Sequence, residues 1–182
     1  MATGLTFRTN SERRLPAYFY RLSSRAQRTY LKSESVERFD YVATTAARNS
    51  LDALMRVLET DNLAATTACA RALTAEVCRT LGTLPVNVEV RGVRPRNQRG
   101  ELHGLFYPYD PRLRRQPYIV LWMRTAQRQD VVKPKTFVRT LMHEIGHYLD
   151  YALLRLEDSY HTQGFFKRES SLVRALFNPQ AS

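Results

Sequence analysis

The chain has 182 residues, a length that suits one domain around one core, and 43% apolar against 25% charged residues excludes a disordered polymer. No apolar run is long enough to cross a bilayer and residues 1–8 lack the apolar stretch of a secretory signal, so a cytoplasmic, monomeric protein with no membrane partner is expected. The net charge of +11 comes from 24 Arg and four Lys against 17 acidic residues, a balance that suits nucleic acid and equally a solvated face on an Arg-rich chain.

Residues 1–35 form a basic N-terminal arm rich in Arg and Tyr, among them Arg13, Arg14, Tyr18, Tyr20, Arg21, Arg25, Arg28 and Tyr30. Such interleaving suits stacking on nucleic acid or packing against the chain's own domain. Ser24 followed by Gln27 resembles a capping box and predicts a short helix over 25–32. Over 36–58, Phe39, Ala43, Ala46, Ala47, Leu51, Leu54 and Leu58 keep helical spacing. Thr60, Asp61 and Asn62 break the pattern, and Ala70, Leu73, Val77 and Leu81 resume it until Gly82 and Pro85. The pair reads as a helical hairpin over 36–82, a scaffold. Cys69 and Cys78, nine residues apart within it, have no metal-ribbon or redox spacing and read as reduced, buried thiols.

The period then changes from helical to two. Val86, Val88 and Val90 alternate with Asn87, Glu89 and Arg91, the mark of a half-buried strand. A polar turn over 94–100 leads to a second strand over 102–107, and the two are expected to pair as a hairpin. After a Pro-bracketed loop holding Arg112, Arg114 and Arg115, residues 118–123 form a third strand, apolar throughout and therefore central. Residues 91–115 carry seven Arg against Glu101 and Asp110, so these two loops are the first place to seek a nucleic-acid surface.

Pro134 suits the first turn of the next helix, where its missing N–H is harmless. Phe137, Leu141, Ile145, Leu149 and Leu153 then recur every four residues. On that helix His143 and His147 are neighbours one turn apart and supply half of a tetrahedral zinc site. Glu144 points to the side where a bound water would lie, the place of a general base. His-Glu-x-x-His fixes only three positions and arises by chance on amphipathic helices. Its weight here comes from the helical setting, the preceding strands, and a further His in a chain that has four.

A catalytic zinc needs a third protein ligand. His161, 14 residues after His147 and just past the helix, is one candidate; Glu169, on the last helix, is the alternative. Glu157 and Asp158 are weaker, and His103, on the second strand, reads as a packing or surface residue. Tyr148, Tyr151, Tyr160 and Arg174 are candidates to stabilise an oxyanion. Phe165, Phe166, Leu172, Leu176 and Phe177 are candidate apolar contacts of the last helix, which Asn178-Pro179 stops.

His161-Thr-Gln-Gly-Phe165 fits an H-x-x-x-F pattern, and with the His-Glu-x-x-His helix the region 86–177 resembles the SprT-like zincins. Thr162 stands where that family usually has Gly, and no Cys-based ribbon follows. The resemblance implies an α+β, zincin-like domain: N-terminal helices, a small mostly antiparallel sheet, the active-site helix and a backing helix, over residues 36–182. It implies Zn2+ on His143, His147 and His161, with Glu169 then holding a ligand ring or pairing with an Arg; in gluzincins the third ligand would be Glu169. It further implies a metallopeptidase that cleaves protein or peptide substrates, presented on DNA, by a zinc-bound water and Glu144. An edge strand over 101–107 would align the substrate. Two other functions stay open: a nucleic-acid-binding protein with a closed structural zinc, and a zincin-fold hydrolase of a non-peptide substrate.

Overall fold

A computed structural model describes residues 15–98 and 100–178; Arg13, Arg14, Arg99 and Pro179 lie outside them. Helix starts are set by side-chain caps. Ser23, Thr44, Asn62 and Thr162 accept hydrogen bonds from the amides of Ala26, Ala47, Ala65 and Phe165 at 3.2, 3.1, 3.0 and 3.0 Å, satisfying first-turn donors that would otherwise be orphaned. They open α1 (Ser24–Ser35), α2 (Thr45–Glu59), α3 (Leu63–Thr80) and α5 (Gln163–Phe177). Helix α4 (Pro134–Ala152) has no side-chain cap and begins on Pro134, whose fixed φ suits that position.

Two local expectations are corrected. The cap of α1 is Ser23 rather than Ser24, and Gln27 donates to the Phe19 carbonyl at 3.2 Å instead of closing a capping box. Residues 36–44 form neither helix nor strand, and α2 starts only at Thr45. Phe39, Tyr41 and Ala43 are buried and Arg38, Asp40 and Val42 exposed, a period of two that the four-residue step from Phe39 to Ala43 disguises.

The strands are β1 (Asn87–Val93), β2 (Arg96–Asn97), β3 (Gly100–Glu101), β4 (Gly104–Tyr107) and β5 (Tyr118–Arg124). Strands β1, β5 and β4 form a three-stranded sheet in the order β1-β5-β4. Residues 119–123 are all buried, and such a strand belongs in the middle. That placement separates β1 from β4, so the expected hairpin between them is not formed. Instead β1 runs parallel to β5, with Val88 opposite Ile119 and Val90 opposite Leu121, and β4 runs antiparallel to it, with Phe106 opposite Ile119. The sheet is therefore mixed. The polar turn folds on itself as the β2–β3 ribbon, and His103 falls between β3 and β4, exposed.

The fold class is α+β. One core joins Leu51, Leu54 and Leu58 of α2 and Leu73 and Val77 of α3 to Phe137, Leu141, Ile145 and Leu149 of α4 and the inner face of the sheet. Each such side chain contributes about 1.5–3 kcal/mol of burial. The apolar series of α4 stops at Leu149, because the helix ends at Ala152 and Leu153 is exposed. Gly164 lets α5 approach α1: a Cβ there would lie 2.6 Å from the Glu34 carbonyl oxygen. No helix among the described residues is long and apolar enough to cross a membrane.

Candidate metal centre

One helical turn puts the rings of His143 and His147 4.9 Å apart, centroid to centroid. The chain then reverses direction. After α4 the amide of Leu156 returns to the Asp150 carbonyl at 2.9 Å, Arg155 takes a left-handed conformation (φ 54°), and Leu156 is buried. This brings His161, the residue before the cap of α5, back over α4. The Nε2 atoms of His143, His147 and His161 form a triangle with sides of 3.2, 3.0 and 3.0 Å. A tetrahedral ion with bonds of about 2.0–2.1 Å needs nitrogens roughly 3.3 Å apart, so the three imidazoles fit a metal ion with little movement. Among the described residues no other His, Cys, Asp or Glu joins this group.

The far side of two rings is also held. Glu169 Oε2 lies 2.9 Å from His143 Nδ1, so Glu169 sits behind the His143 ring rather than on the side of the Nε2 triangle. Ser159 Oγ lies 2.7 Å from His147 Nδ1 and donates to Asp150 at 2.7 Å. Asp150 in turn receives Arg168 at 2.8 Å. Both ends of that ion pair are buried, and Arg168 also donates to the carbonyls of Ser33 and Val36 at 2.6 and 2.5 Å. The ring of Phe165 stacks on His147 at 4.6 Å and that of Phe166 on His161 at 5.6 Å. Carboxylates behind imidazoles fix the tautomer and raise ligand basicity. Asp150, Ser159 and Arg168 went unnoticed in the sequence. The one signal was a carboxylate beside Leu149 on the apolar side of α4.

Electrostatics favour neutral donor nitrogens at two of the three rings. Burial, with the neighbouring His143 and His161, pushes His147 down to about 3. Burial also lowers His161, His143 adding to it. His143 is shifted upward: burial opposes protonation, but the Glu169 hydrogen bond and the charges of Glu144 and Glu169 outweigh it. Burial raises the Glu144 carboxyl to about 7 against the pull of His143 and the Phe106 backbone hydrogen bond. Strand β4 passes close above it. A Cβ on Gly104 would lie 2.6 Å from Glu144 Oε1 and 2.8 Å from Thr140 Cγ2, so only glycine allows this approach.

Between β4 and α4 lies a cleft of about 360 Å3, with Gly104, Leu105 and Phe106 on one wall and His143, Glu144, His147 and His161 on the other. Of the four oxyanion candidates, Tyr151 lines it. Tyr148 instead donates its hydroxyl to the Leu84 carbonyl at 2.7 Å, Tyr160 packs against Tyr30, and Arg174 lines a separate cavity beside residues 37–42.

Comparison with protein-family models, curated proteins and solved structures gives no match for this chain. The site therefore stands on its own geometry: three histidines that could hold a metal ion, with a buried glutamate beside them.

Proposed function

We propose that the protein is a zinc metallopeptidase resembling the SprT-like zincins, with His143, His147 and His161 as ligands and Glu144 as general base. The supporting observation is the triangle of three Nε2 atoms without a fourth metal-binding side chain among the described residues. Structural zinc sites are closed by four protein ligands, whereas catalytic ones keep a position open. This favours the enzyme over a nucleic-acid-binding protein with structural zinc. Three imidazoles also suit zinc better than the oxygen-seeking magnesium or calcium.

When bound, zinc would supply Lewis acidity, acidifying water and polarising the scissile carbonyl. The chain supplies the rest. Glu144 accepts the proton of the attacking water and passes it to the leaving amine. Tyr151 lines the cleft, and its hydroxyl would have to leave Asp158, to which it donates at 3.3 Å, to meet a developing oxyanion. Strand β4 is at the edge of its sheet, where an extended peptide can add as a further strand, and that favours a peptide over a non-peptide substrate.

The test uses zinc-loaded wild type and Glu144→Gln. The variant is expected to keep its zinc and lose peptide cleavage. Loss of zinc together with folding, and no cleavage by the wild type, would favour the structural alternative. As an extension, the exposed Arg96, Arg112, Arg114 and Arg115 support DNA as the partner on which substrates are presented. DNA affinity should then fall steeply with salt; no binding, or binding indifferent to salt, removes that part.

A further inference from the structure

A second cavity of about 250 Å3 adjoins the cleft. Phe106, Pro108 and Tyr151 line both, so the second space lies directly beside the cleft. Its walls are Phe106 and Tyr109 on the β4 side and Tyr148, Tyr151 and Ala152 from the end of α4. The hydroxyls of Tyr148 and Tyr151 are committed, to the Leu84 carbonyl at 2.7 Å and to Asp158 at 3.3 Å. Both therefore offer ring surface, and Phe106 packs against the two rings at centroid distances of 6.2 and 5.7 Å. Among the described residues no Asp, Glu, Lys, Arg or His lines the space.

A charged or strongly polar group entering it would lose water without gaining a partner. An aliphatic or aromatic group would gain burial against ring faces. The occupant follows from the lining shared with the cleft and from scale, since the volume suits one side chain rather than a folded element. We propose that this cavity is the specificity pocket of the peptidase and takes a bulky apolar side chain, such as Leu or Phe, flanking the scissile bond. This rests on the peptidase reading above and adds the substrate class. Ala152 would set its depth, because a larger residue there fills it.

The experiment uses the full chain loaded with zinc and matched fluorogenic peptides in which each position flanking one bond is varied among Ala, Leu, Phe, Lys and Glu. At one flanking position kcat/KM should be about tenfold or more higher for Leu or Phe than for Ala, with Lys and Glu lowest. Ala152→Phe should cut the Phe-to-Ala ratio by about tenfold. Should that variant misfold, Tyr109→Ala, on an exposed loop residue, should reduce the ratio by removing one wall. The same ranking should appear without turnover, as Kd values for the inactive Glu144→Gln protein. Cleavage without apolar preference, or a preference that neither variant alters, overturns the pocket and leaves the peptidase standing. Failure to cleave any peptide overturns the peptidase reading and the pocket with it.

Discussion

At the scale of single residues, what distinguishes this site from three histidines on a surface is the support behind them. Glu169 braces His143, and Ser159 links His147 to the buried Asp150–Arg168 pair. Ser159→Ala and Glu169→Gln should each weaken zinc affinity by about 10–100-fold, measured by chelator competition; unchanged affinity would mean that the imidazoles are oriented by packing alone. Arg168→Met strands the Asp150 carboxylate, whose side chain is 0% exposed, and should destabilise the fold by about 3–5 kcal/mol in urea denaturation. A loss under 1 kcal/mol would show that water or another cation reaches Asp150. Glu144 offers a pH test. Its folded pKa of about 7 exceeds the ordinary glutamate value of 4.5, so the folded metal-free protein binds more protons and loses stability as pH rises from the lower value to the higher. Glu144→Gln lacks that loss. The variant's stability relative to wild type should therefore increase between pH 5 and pH 8, by on the order of 3 kcal/mol. A difference that stays flat with pH would place the carboxyl in water.

At the scale of elements, the site depends on the approach of β4 to α4 and of α5 to α1. Gly104→Ala should push β4 off α4 and disturb Glu144 while leaving the three histidines in place. Peptide cleavage is then expected to fall by about tenfold or more with zinc content unchanged; full activity would mean that the strand yields without moving Glu144. This dependence also explains what the sequence could and could not reveal. The helix carrying His143 and His147 was legible because Pro134 and the series from Phe137 to Leu149 are local signals. So was the centrality of β5, from its unbroken apolar run. The pairing of β1 was not, since alternation marks a strand but not its neighbour. Residues 36–44 misled because Phe39 and Ala43 satisfy a helical and an extended period alike, and only tertiary packing decides between them.

At the scale of the molecule, the centre is assembled from pieces that are distant in sequence. His143 and His147 come from α4, His161 from the reversal after it, and Arg168 ties the arrangement to the carbonyls of Ser33 and Val36 at the end of α1. Non-local contacts of this kind explain why Asp150 and Arg168 read from sequence as ordinary charged residues. The hydrogen-bond partners of Arg168 are 18 to 135 positions away. The most direct test of the metal centre is X-ray absorption at the zinc edge of the stoichiometrically loaded, full-length protein. The account predicts three imidazole nitrogens and one exchangeable oxygen at about 2.0–2.1 Å. A fourth protein ligand closing the site, a sulfur neighbour, or the same spectrum from His161→Ala would contradict it.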